Sequence, residues 1–210
     1  MTTFEEAYKQ MDKQDLTMEK EHKHIKIRTI EIAGMASVLQ ALRLPFGLEC
    51  RSRANAEYYK GDTEPYRFAT VSLVELEPKD LHLLSTLVKR GPEHAKCIRG
   101  IVVYAEIDAP RYWWQEADTY RIGTERLASA STMHIQGKRL STEELVRMKE
   151  NLTEGTMQKR IQMFSYQTLR RIYFQRRNHR LPIWREFCQW IESLPFSNEL
   201  IIIENDNKRD

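Results

Sequence analysis

The run Ile98 to Ile107, IRGIVVYAEI, is mostly apolar and rich in β-branched residues, a composition that predicts a strand in the interior of a sheet. Such a strand needs paired neighbours on both sides and a layer of helices to cover it. The neighbours are visible on either side in the sequence. IKIRTIEIA, residues 25–33, alternates with period two, setting Ile25, Ile27 and Thr29 against Lys26, Arg28 and Ile30, and Gly34 ends it. YRFATVSLVEL has the same β character, and Asp108, Ala109 and Pro110 are expected to break the central strand. Helical segments are interspersed. MASVLQALRLPFG reads as a short helix stopped by Pro45 and Gly47, and Pro78 opens another, with Leu81, Leu84, Leu87 and Val88 on one stripe and Gly91 just past its end. Ser141 and Glu144 form a capping box before a third helix, and further helices are expected over about 159–178 and 182–193. RSRANAEYYKGDTEP is polar and turn-rich and predicts a loop, and a short strand is expected from Leu200. Helix and strand mix without a βαβ rhythm, so the expected fold is a single α+β domain, a sheet with packed helices over 25–204, between a charged arm at 1–24 and a charged tail at 205–210.

Composition narrows the function classes. The chain has 210 residues, of which 41% are hydrophobic and 30% charged, enough for one cored domain. The net charge of +3 lacks the cationic field of a protein that tracks along nucleic acid. Apolar runs such as Leu200 to Ile203 are far shorter than the roughly 18 residues of a membrane span. The first 24 residues carry six acids and four bases without an apolar stretch, so a cytoplasmic location is expected and His22 and His24 are expected to be solvated. Cys50, Cys97 and Cys188 are too far apart for a zinc knuckle or disulfide framework and read as structural thiols.

The densest concentration of chemistry lies between Pro110 and His134, PRYWWQEADTYRIGTERLASASTMH. A helix starting near Arg111 would set Trp113, Ala117, Tyr120 and Thr124 on one face, and Trp114, Asp118, Arg121 and Glu125 on the next. Core packing with an Asp118–Arg121 pair accounts for that pattern as well as a binding face does. After it, Ser129, Ser131 and Thr132 stand among small residues, where hydroxyls and approachable backbone N–H groups suit a phosphate; an ordinary Ser/Thr turn has the same composition. No G-x-G-x-x-G or P-loop occurs, which argues against a Rossmann or Walker site. Residues 169–180, LRRIYFQRRNHR, hold five arginines and no acid. Arg170, Phe174 and Arg177 share a face at i, i+4, i+7, a combination suited to phosphates and stacked bases, or to a solvated helix whose arginine stems cover apolar surface. His94 and His134 lack metal-ligand spacing, so no metal site is expected.

The order of these segments resembles the flavin-dependent thymidylate synthases. The likeness runs from IRGIVVYAEIDAP through RYWWQEADTYR to IGTERLASAST, and spans roughly residues 70–200 with its flanks, Gly91 with His94 and the Leu194-Pro195 step. That family carries the signature R-H-R-x-x-S-x-N-E-x-S-x-R-Y after an Ala-Pro strand end. Aligned on Arg121, Ser129 keeps the second serine and Thr124 takes the place of the first. Tyr120 replaces the histidine, Leu127 the glutamate, and Ser131 the phosphate-binding arginine. The resemblance implies a nucleotide site built from Arg121, Thr124, Ser129, Ser131, Trp114, Tyr120 and Glu116, with charge from Arg170 and Arg177. It also implies FAD as the cofactor, with His94 approaching it, and a homo-oligomer, tetrameric in the family. The altered signature favours a protein that binds or sequesters a nucleotide without catalysis. The alternative is an active enzyme that methylates dUMP using methylene-tetrahydrofolate, FAD and NADPH. The chain also ends soon after Leu194-Pro195, where the family is expected to continue into a further helix.

Overall fold

The computed structural model describes residues 19–21, 23–48, 53–60, 68–130 and 140–205. Seven strands among these residues form one sheet. They are β1 (Glu19–Glu21), β2 (Lys26–Ala33), β3 (Arg53–Lys60), β4 (Phe68–Glu75), β5 (Val102–Pro110), β6 (Thr124–Ser129) and β7 (Met157–Ser165). The order across the sheet is β3-β4-β2-β5-β7-β6, with β1 pairing beside the first residues of β2. The β2–β4 pair is parallel and the others are antiparallel. β5 is interior, as its apolar character predicts, and its alternation buries Val103, Ala105, Ile107 and Ala109. A bulge in β2 between Thr29 and Glu31 shifts the phase, so the buried residues run Ile27, Thr29, then Ile32.

Six α-helices of more than one turn occur among the described residues. They are α1 (Met35–Arg43), α2 (Pro78–Lys89), α3 (Arg111–Ala117), α4 (Thr142–Glu150), α5 (Tyr166–Arg176) and α6 (Pro182–Glu192), followed by a single turn, α7 (Ser197–Leu200). Trp184, Phe187 and Trp190 of α6 pack over the inner face of the sheet. Phe187 lies 5.1 Å from Trp190 and 5.2 Å from Trp113, and Trp190 Nε1 donates to Thr29 Oγ1 at 3.1 Å. At the other end of the sheet, Gly34 at φ 92° starts α1 against the Gly100 carbonyl, where a Cβ would collide with backbone. Arg43 of α1 pairs there with the fully buried Asp80 of α2.

Several expectations are corrected. The segment predicted as a loop after Cys50 contains β3, which pairs with β4 from Arg53↔Glu75 to Lys60↔Phe68; its polarity suits a strand at the edge of the sheet. β5 does not break at Asp108 but continues to Pro110, opposite Met157. The helix expected over about 159–178 begins only at Tyr166, because Met157–Ser165 pairs along its whole length with β5. Polar Arg160 and Gln162 occupy its buried face, hiding the strand period. The apolar Leu200 lies on the turn α7 rather than a strand, and its side chain is buried with that of Ile201. His24 is only partly solvated: its backbone N–H and Nδ1 meet the Glu186 carboxylate at 2.9 and 2.5 Å. The arm before Glu19 and the tail after Asn205 lie outside the described residues.

Candidate functional site

α3 ends at Ala117, so the single long helix expected from Arg111 is replaced by a helix, a tight turn and the strand β6. The turn is held along α5 by several hydrogen bonds. Tyr120 is buried, its hydroxyl donating to Gln175 Oε1 at 2.9 Å and accepting from Arg176 Nε at 2.8 Å. Thr168 Oγ1 donates to the Ile122 carbonyl at 2.6 Å, and the Ser165 N–H to the Gly123 carbonyl at 2.7 Å. Thr124 Oγ1 donates back to the Tyr120 carbonyl, so this hydroxyl is engaged within the turn. Gly123 has φ 74°, and a Cβ there would lie 2.5 Å from both Ser165 Oγ and Thr168 Oγ1. Glycine is what lets the turn sit on the first turn of α5. Between these anchors Arg121 is exposed, its side chain making no ion pair or hydrogen bond among the described residues, and Ile122 beside it is 73% exposed.

Behind the turn lies a polar cluster centred on Arg176. Its guanidinium donates to Glu116 Oε2 at 3.0 Å, contacts His179 Nε2 at 2.8 Å and lies 4.6 Å over the Trp184 ring. Glu116 also accepts from Trp184 Nε1 at 2.9 Å, so this carboxylate is directed inward. Trp114 is buried, with Nε1 donating to the Gln158 carbonyl at 2.8 Å and Arg160 4.2 Å over its ring. Asp118, expected to pair with Arg121, instead accepts two bonds from Arg160 at 2.8 and 3.0 Å.

The arginine-rich helix has the face the spacing predicts: Arg170 and Arg177 flank the Phe174 ring at 4.8 and 5.0 Å. Both are turned away from the Arg121 turn, toward the C-terminal segment. Arg170 is buried and donates to the carbonyls of Ile201 and Ile203 at 2.7 and 2.5 Å and to Asn205 Oδ1 at 2.6 Å, and Arg177 pairs with Glu204 at 3.0 Å. Arg171, which the sequence did not single out, is the arginine that reaches the turn, its guanidinium 5.4 Å from the Tyr120 ring. The signal was present in its spacing, three residues after Thr168 and four before Gln175. Ser129 lies on β6 opposite Arg160, in a strand rather than the small-residue turn expected there, and is exposed; Ser131 and Thr132 lie outside the described residues. His94 is exposed at the start of the 3-10 turn Ala95–Gly100, which packs against α5. Burial pushes the Cys188 thiol up to about 12, with the Glu192 carboxylate adding to it, so Cys188 is an inert thiol of α6. No helix among the described residues is long and apolar enough to cross a membrane.

Strand β5 ending in Ala109-Pro110, followed by α3, the anchored turn and β6 in one sheet, can be compared with known folds. No protein-family model matches the chain, and no curated protein sequence matches it. Among solved structures it is similar to thymidylate synthase X from Helicobacter pylori with FAD and dUMP. The TM-score is 0.55 at 13% identity, over 85% of this chain and 97% of that one. A second structure of the flavin-dependent thymidylate synthase from Helicobacter pylori, complexed with FAD and dUMP, gives a TM-score of 0.55 at 12% identity, covering 84% and 97%. This chain has the flavin-dependent thymidylate synthase fold. The coverage corrects the expectation of a missing helix, since nearly the whole of each thymidylate synthase chain finds a counterpart here. On the thymidylate synthase fold, the exposed Arg121 and the buried ring of Tyr120 occupy the turn between α3 and β6.

Proposed function

We propose that this protein binds a nucleotide through its phosphate at the α3–β6 turn, with Arg121 as the principal contact and Thr124 and Ser129 of β6 as further hydroxyl groups; Ser131, which the resemblance also implies, lies outside the described residues. The observation that carries the reading is Arg121 itself, an exposed guanidinium without a hydrogen-bond or ion-pair partner among the described residues, on a turn fixed from both sides. An arginine fork on a rigid turn is suited to bidentate phosphate recognition. The fold adds support, since the two similar structures hold dUMP as well as FAD. In this reading Glu116, Trp114 and Tyr120 shape the support behind the turn, Arg170 and Arg177 hold the C-terminal segment instead of the nucleotide, and the protein acts in the cytoplasm as a homo-oligomer.

The residues at this place do not suit FAD. Trp114, Tyr120 and Trp184 are buried and have the guanidinium groups of Arg160, Arg171 and Arg176 over their rings, so these aromatics hold arginines rather than a flavin ring. The donor set fits a phosphate and does not fit an isoalloxazine. The second reading, an active flavin-dependent enzyme that methylates dUMP, is favoured only by the ligands of the two similar structures. A flavin absorption band on adding FAD, with thymidylate formed from dUMP, would support it over binding alone.

Thermal shift against a nucleotide panel tests the first reading. A ligand bound by the folded state alone raises the melting temperature. The expected result is a shift with dUMP that Arg121→Ala removes; a panel without any shift, or an equal shift in the variant, rejects the site.

A further inference from the structure

We propose that Arg171 of α5 joins Arg121 in a two-arginine clamp for a phosphomonoester dianion, an inference that deepens the nucleotide reading and rests on it for the ligand's identity. Of the five arginines in 169–180, three are committed within the protein: Arg170 to the C-terminal carbonyls, Arg176 to Glu116, and Arg177 to Glu204. Arg171 is exposed and makes no hydrogen bond or ion pair among the described residues; its one defined contact is the Tyr120 ring at 5.4 Å.

The placement follows from the anchors of the turn. Tyr120 is tied to Gln175 and Ile122 to Thr168, so residues 120–122 lie along the α5 stripe Thr168, Arg171, Gln175. Arg121 stands between the two anchored residues, and Arg171 between the two anchoring ones. The two arginines therefore belong to facing stretches of the turn and the helix. Among the described residues no acid pairs with either of them: Glu116 faces Arg176 and Trp184, Asp118 faces Arg160, and Glu125 on β6 forms no ion pair. Two unpaired cations brought together over the turn would repel, and a dianion with three acceptor oxygens relieves that repulsion while accepting from both forks. The contact with Tyr120 restricts the Arg171 side chain, lowering the entropy lost on binding.

Isothermal titration of the full chain with dUMP, deoxyuridine and inorganic phosphate decides the matter. Arg171→Gln is expected to weaken dUMP binding about 10- to 100-fold, the range of a charge-assisted hydrogen bond, and Arg171→Lys by less. Arg180→Gln, another exposed arginine, should bind as the wild type does, and circular dichroism should show each variant folded. Wild-type affinity for dUMP in Arg171→Gln overturns the clamp and leaves the nucleotide reading standing. Phosphate binding that depends on Arg171, with no binding of dUMP, keeps the clamp and overturns the nucleotide reading. Neither ligand binding to the wild type overturns both.

Discussion

At the scale of single residues, one position ties the fold to its candidate site and another ties α1 to α2. Gly123 adopts φ 74° with its α-carbon facing Ser165 and Thr168, so Gly123→Ala adds both a left-handed backbone cost and a collision with two hydroxyls. Destabilisation of about 1–3 kcal/mol is expected in urea unfolding, from the left-handed cost plus the displaced hydroxyls. Dislodging the turn should weaken nucleotide binding along with it, which a titration of the folded variant checks. The second position is Asp80, whose side chain is fully buried against Arg43. Removing the charge of Arg43 with Arg43→Met takes away a cation that faces a buried carboxylate, and a loss of about 3–5 kcal/mol is expected from denaturant melts. A change below about 1 kcal/mol would show that other groups carry Asp80.

Elements were legible where local chemistry and tertiary packing agreed. The interior strand, the Pro78 helix, the Ser141–Glu144 capping box and the helix from Pro182 all follow from period, proline and cap, and the structure has them at those places. β7 was illegible because its inward face carries Arg160 and Gln162, polar residues that a buried strand pattern does not announce. The candidate site was half legible. Arg121 stands out in the sequence, but the choice of Arg171 over Arg170 depends on how α5 is rotated, and that rotation is set by the buried Leu169, Ile172 and Tyr173. The pairing of Asp118 with Arg160 joins residues 42 apart and has no local signal. α4 supplies a test at this scale. It buries no residue, so its cap should matter locally and not globally. Ser141→Ala should speed amide exchange across Thr142–Glu150 while the midpoint of global unfolding stays unchanged. A drop in the global midpoint would mean that α4 is part of the cooperative unit.

For the whole molecule, the sheet carries charges as well as apolar surface. Glu106 on β5 meets Arg28 of β2 at 3.1 Å and Lys159 of β7 at 3.3 Å, linking three strands. Partial burial opposes ionisation of this carboxyl, but the hydrogen bonds and charges of Arg28 and Lys159 outweigh it and hold its pKa below the usual carboxylate value. A depressed folded pKa stabilises the native state above the unfolded value and loses that contribution as pH falls through the folded one. Stability should therefore decline on acidification below about pH 4.5, the unfolded carboxylate value, and Glu106→Gln should flatten that part of the profile. A slope unchanged by the substitution would assign the acid sensitivity to other groups. The central claim, that this thymidylate synthase-like fold recognises a nucleotide by its phosphate, is tested most directly by native mass spectrometry of the full chain with dUMP and with deoxyuridine. The account predicts one dUMP bound per chain and no retained deoxyuridine; retention of both alike, or of neither, would contradict it.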